Sequence, residues 1–207
     1  MSSPLNPSDA LSESQRLIAA LERRRDDLPF VDDILAIHQP THHELERSRL
    51  RSEQAVEAWR NALARRWGCE VAGRRLYKEI FRQFVEHYGD SAPEVQVLSR
   101  GEAEADSSPS ELLRDLRRLQ AALVTSGAAM PFVERRLPEV ERACDALHRA
   151  IDEADVCEAQ RRAAVLDRRM AQEAYRRARA ATRRTLAEHY GDQLASDFAE
   201  LFDVSDE

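Results

Sequence analysis

PEVERACDALHRAIDEADVCEAQRRAAVLDRRMAQEAYRRARAATRRTLAEHY, residues 138–190, contains no proline after its first residue and no glycine, asparagine or serine. Ala, Leu, Arg and Glu, which favour the helix, dominate it. With no turn chemistry in its interior, the stretch predicts one unbroken helix. At ~1.5 Å per residue, about 53 residues make a rod of ~80 Å. Leu137, Val140, Cys144, Leu147, Ile151 and Ala154 recur in steps of three and four, the spacing of a coiled-coil seam. Continuing that register lands on Glu158, Arg161 and Arg168. A second apolar line, Val156, Ala159, Ala163, Leu166, Met170 and Ala174, suggests that the seam shifts there.

Working outward, the rod belongs to a segment written twice. Residues 7–90 and 109–192 align at a constant offset of 102, with about 26 identities over about 84 positions. Pro29-Phe30-Val31 recurs as Pro131-Phe132-Val133, and Glu86-His87-Tyr88-Gly89-Asp90 as Glu188-His189-Tyr190-Gly191-Asp192. So long a period indicates a duplicated helical unit. Each copy opens with Pro-Ser-acid, at Pro7-Ser8-Asp9 and Pro109-Ser110-Glu111, read as a serine N-cap with an acid in the first turn. Short amphipathic helices are expected at 9–26 and 110–125. A turn follows each, and then a long helix that ends at a C′ glycine, Gly89 or Gly191. Copy one carries Pro40, Asn61, Gly68 and Gly73, which permit a bend.

The reading is an all-α chain: a tandem duplication of a short-helix plus long-helix unit, its long helices packed as an antiparallel coiled coil or elongated bundle. Its divisions are a flexible N-terminus (1–8), repeat 1 (9–90), an acidic linker (91–108), repeat 2 (109–192), and a short amphipathic helix with an acidic end (193–207).

Charge supports the antiparallel arrangement. Residues 134–158 hold eight acids and four arginines, and residues 161–184 hold nine arginines and two acids. Residues 32–57 and 60–82 repeat the polarity, with six acids to three arginines and then seven basic residues to two acids. Antiparallel rods place acidic halves against basic halves. Each such pair is worth only ~0–1 kcal/mol, but many together select orientation. The chain carries 33% charged residues and a formal net charge of −7, which argues against a general polyanion binder.

Few patterns carry chemistry. His38, His42, His43, Glu44 and Glu46 have metal-ligand residue types, but Pro40 interrupts them and the copy-two partners of His38 and His42 are Val140 and Cys144. No Glu-x-x-His pair, phosphate loop or nucleophile elbow occurs. Neither an enzyme nor a cofactor is expected. His87 and His189 read as helix-end residues, and Trp59 and Trp67 as core or interface residues.

The expected function is therefore a non-enzymatic scaffold acting through helical protein–protein contacts or self-association, with Phe198, Leu201 and Phe202 as candidate partner contacts. The alternative is polyanion or nucleic-acid binding through Arg74, Arg75, Lys78, Arg82, Arg176, Arg177, Arg179, Arg183 and Arg184. Three cysteines in no metal spacing, with no secretory or membrane-spanning segment, point to reduced thiols, a cytoplasmic location and no membrane partner.

Overall fold

A computed structural model describes residues 7–26, 30–99, 108–126 and 130–202, with side chains from residue 10 to residue 189 of these. Their regular structure is helical throughout: α1 (Pro7–Arg23), α2 (Val31–Tyr88), α3 (Pro93–Ser99), α4 (Pro109–Ser126) and α5 (Val133–Phe202). Both long helices are unbroken, α2 running through Pro40 and α5 through Pro138.

The chain forms two compact units, one of Met1–Val56 with Gln160–Glu207 and one of Glu57–Ala159. The first holds α1, the leading part of α2 and the trailing part of α5. The second holds α4, α3, the trailing part of α2 and the leading part of α5. In each unit the long helices run antiparallel. In the second, Arg65 bonds Glu153 while Arg136 bonds Gln83, so α2 numbers rise as α5 numbers fall. In the first, His38 meets Thr182, and Leu45 packs with Ala171 and Tyr175.

The second unit has an apolar interior. Leu112, Leu116, Leu119 and Leu123 of α4 share one cluster with Tyr77, Ile80 and Phe84 of α2 and with Val133, Val140, Cys144 and Leu147 of α5. Val95 and Leu98 of α3 join it, and the Tyr77 hydroxyl donates to the Leu98 carbonyl at 2.8 Å. The expected linker is therefore helical over 93–99: Pro93 starts it, and Val95 and Leu98, three apart, give it an apolar face. Residues 100–107 lie outside the described residues. In the first unit, Leu17, Leu21, Val31, Ile34, Leu35 and Leu186 form one cluster, and Ala10, Leu45, Ala171 and Tyr175 another.

Three local expectations are corrected. The α4 cap is Ser108: its Oγ accepts from Glu111 N–H at 3.3 Å and its own N–H donates to Glu111 at 2.8 Å, a capping box with Pro109 as first helical residue. Ser110 lies inside the helix. The Ser108 N–H and hydroxyl hold the Glu111 carboxyl below its ordinary range. Gly89 does end α2, at φ 85° with its N–H on the Val85 carbonyl, but α5 continues through Gly191 to Phe202. Residues 193–202 thus extend α5 and form no separate helix; 203–207 lie outside the described residues.

The largest correction concerns the seam. Val140, Leu147, Ala154, Tyr175 and Thr182 are buried and Arg161 and Arg168 half-buried, all at seven-residue intervals. The register does not shift. Ala163, Leu166, Met170 and Ala174, assigned by sequence to a new seam, are exposed, as are Val156 and Ala159. Long arginine side chains can hold a seven-residue line by burying their stems and turning the guanidinium outward.

Gly73 lets α4 approach α2 closely. A Cβ there would sit 3.2 Å from Leu116 and 3.6 Å from Leu112. At the offset of 102, first-unit Tyr175 corresponds to Gly73, and Ala10 and Ser14 to Leu112 and Leu116. At these positions the large side chains stand on α4 in the second unit and on α5 in the first. Gly73→Tyr is expected to destabilise by at least ~1–3 kcal/mol through overpacking. Leu112→Ala alone should cost ~2–5 kcal/mol. The double variant should cost less than the sum, because the ring enters the cavity; chemical denaturation of all four proteins measures the coupling.

Candidate functional site

Charged and polar side chains, buried or half-buried, come together in the first unit. Glu13 and Ser14 come from α1, His38 and His42 from α2, and Tyr175, Arg179 and Thr182 from α5. Helical spacing sets each group on one face: 38 and 42 are one turn apart, and 175, 179 and 182 follow at four and three. His38 is fully buried, with Nε2 2.7 Å from Thr182 Oγ1; the tautomer sets which donates. His42 Nδ1 meets Ser14 Oγ at 3.2 Å. Arg179 pairs with the buried Glu13 carboxylate at 2.8 Å. The Tyr175 ring meets His38 edge-on at 6.3 Å.

Within this cluster His38 Nδ1 and the Tyr175 hydroxyl are buried with no hydrogen-bond partner among the described residues. Burial pushes the His38 pKa from 6.5 down to about 4. It pushes Tyr175 upward, and the neighbouring Glu13 charge adds to that. Both groups are therefore neutral near pH 7. The cluster brings together carboxylate, imidazole, phenol and hydroxyl groups inside the fold, where His38 with Thr182, His42 with Ser14 and Glu13 with Arg179 engage one another. Such networks specify how helices meet, and they are costly when partly satisfied.

The offset of 102 sharpens the contrast. His38, Thr182, Ser14 and His42 correspond to Val140, Ile80, Leu116 and Cys144, all members of the apolar cluster of the second unit. Only Glu13 keeps an acid, Asp115, whose carboxyl is raised by burial and which pairs locally with Arg118 at 3.2 Å. The sequence signal for this cluster was the mismatch of His38 with Val140 and His42 with Cys144. Tyr175 and Thr182, which complete it, were legible only once the register was known.

The remaining candidates scatter. His43 and Glu46 are exposed, and Glu44 pairs with Arg47 and Arg51. Among the described residues no three His, Cys, Asp or Glu groups are placed to hold a metal ion. Arg74, Arg75, Lys78 and Arg82 do share a region of the second unit, lining with Glu79 a surface recess of about 440 Å³. Arg74 reaches Glu70 and Arg75 reaches Glu79. In the first unit, Arg176 and Arg177 pair with Glu173, Arg183 and Arg184 are exposed, and Arg179 is turned inward to Glu13. Phe198, Leu201 and Phe202 lie in the last turns of α5, beyond the described side chains.

Trp59 is half-buried, but Trp67 is 68% exposed and belongs to no core. The free cysteines are Cys69, Cys144 and Cys157, and burial raises the Cys144 thiol pKa. No described helix is long and apolar enough to cross a membrane. No protein-family model, curated protein or solved structure matches the chain.

The His38 shift carries a pH dependence. Because the folded pKa lies below 6.5, the unfolded chain takes up the proton first as pH falls. His38 therefore contributes no penalty above about pH 6.5, and stability is lost between there and about pH 4, on the order of 1–3 kcal/mol. Replacing the pair by its second-unit counterparts, His38→Val with Thr182→Ile, should flatten this acid limb while leaving stability at neutral pH equal or higher. Urea unfolding across that window measures it; an unchanged limb would assign the effect to other groups.

Proposed function

We propose that the chain is a non-enzymatic scaffold acting through helical protein–protein contacts or self-association. The observation that carries this reading is the outward stripe on α5. Leu166 is 58% and Met170 59% exposed, flanked by exposed Ala163 and Ala174. The spacing is that of a coiled-coil seam on a helix whose opposite face is already covered. Single exposed apolar residues are ordinary, but a periodic line of them marks a contact surface.

We read the chain as a tandem duplication with antiparallel coiled-coil-like packing. Equal burial at paired positions supports this: Leu17 and Leu119, Leu21 and Leu123, and Leu45 and Leu147 are all core residues. Free cysteines and the absence of an apolar spanning helix among the described residues are compatible with a cytoplasmic protein and no membrane partner. The interior placement of the cluster around His38, Glu13 and Tyr175 favours a structural role over catalysis.

Leu166→Glu with Met170→Glu tests the reading. The wild-type chain should show a mass above monomer that rises with concentration in light scattering. The variant should lose at least part of that association with its helical circular dichroism unchanged, since both side chains face solvent. A monomeric wild type across the series would overturn self-association.

The basic recess favours a second reading, binding of a polyanion such as nucleic acid. Lys78→Glu with Arg82→Glu should then abolish an electrophoretic shift that weakens steeply with salt. No shift by the wild type at low salt would remove this alternative.

A further inference from the structure

On one face of α2 in the second unit, exposed apolar residues give way to a basic end. Trp67 is 68% and Val71 48% exposed, and Ala64 and Gly68 beside them are exposed and small. A Cβ built on Gly68 meets nothing within 4 Å. At the next three- and four-residue steps come Arg75, 83% exposed, then Lys78 and Arg82, also exposed. These three line the recess of about 440 Å³, whose one acid, Glu79, is held by Arg75 at 3.2 Å. An exposed indole with open space beside it is the kind of anchor that dominates protein interfaces. The cations beyond it call for an acidic partner.

We propose that this face, Trp67 through Arg82, docks segment 193–207 of a second copy of the chain. The inference rests on the self-association reading and names its surfaces. QLASDFAELFDVSDE carries Asp197, Glu200, Asp203, Asp206 and Glu207 and no basic residue. Its apolar residues Leu194, Phe198, Leu201 and Phe202 recur at helical spacing and precede its acidic end. The α2 face has the same order, apolar first and basic second. Parallel docking thus sets apolar on apolar and acid on base, whereas antiparallel docking mismatches both.

Residues 193–202 continue α5 without a break, and the self-association reading supplies the segment from a second copy. Reciprocal docking of two copies closes a dimer.

A charge-exchange experiment on the full chain tests this, read by sedimentation velocity. Wild type should associate. Lys78→Glu with Arg82→Glu, and separately Asp203→Lys with Asp206→Lys, should each weaken association at least tenfold, and Trp67→Ala should do the same. An equimolar mixture of the two charge-reversed chains should re-associate, since the reversed face of one meets the reversed segment of the other. Circular dichroism checks folding, and the mixture guards against a folding artefact. Association that survives both reversals, or a mixture that stays dissociated, overturns the docking while leaving self-association through the α5 stripe intact. A monomeric wild type overturns both.

Discussion

Covering one face of a very long helix is the constraint from which the rest of this structure follows. A helix satisfies its own backbone hydrogen bonds, but in water most of its stability comes from packing an apolar face. In α5 that face repeats every seven residues through Val140, Leu147, Ala154, Arg161, Arg168, Tyr175 and Thr182. Where it is apolar, in the second unit, Ile80, Phe84 and the leucines of α4 complete a continuous core. Where it is polar, in the first unit, partners of matching chemistry appear instead: His38 for Thr182 and Glu13 for Arg179. The unshifted register also turns Leu166 and Met170 toward solvent, where they are free for intermolecular contact.

The two units reach similar packing by different means. One uses Leu112 and Leu116 against Gly73; the other uses Tyr175 beside Ala10. The exchange is close to volume-conserving, the change that cores tolerate best. The chemistry is not conserved. An imidazole and a hydroxyl replace Val140 and Ile80, and the ring nitrogen left without a partner is kept neutral by burial. Removing one member of such a network costs more than exchanging both for apolar groups. His38 therefore gives the first unit a loss of stability between about pH 6.5 and pH 4, where the matching positions of the second unit are apolar.

Electrostatics works at a weaker level. Within the second unit Arg65 meets Glu153 and the half-buried Arg136 meets Glu79, so acidic and basic segments do face one another, but an exposed pair such as Arg65 with Glu153 is worth only ~0–1 kcal/mol. Many arginines instead pair one turn away on their own helix, as Arg66 with Glu70 and Arg177 with Glu173. Such local pairs add to helix stability without choosing a partner. Lys78 and Arg82 lie exposed on the same stretch of α2.

Sequence by itself determined the helices, because composition and the absence of turn residues are local properties. It therefore announced an unbroken α5, the stop at Gly89 and the inward residues Val140, Cys144 and Leu147. It misjudged Gly191, where a glycine in good surroundings costs only about 1 kcal/mol and the helix runs on. It missed α3, because two buried residues, Val95 and Leu98, leave too short a pattern to read. Only tertiary structure decided which of two heptad lines on α5 faced inward. The sequence favoured the more apolar line through Leu166 and Met170, but the helix is continuous, and its face was already fixed by Val140 and Leu147. Register is a property of the whole helix, and so Arg161 and Arg168 followed inward while the apolar line was left outside.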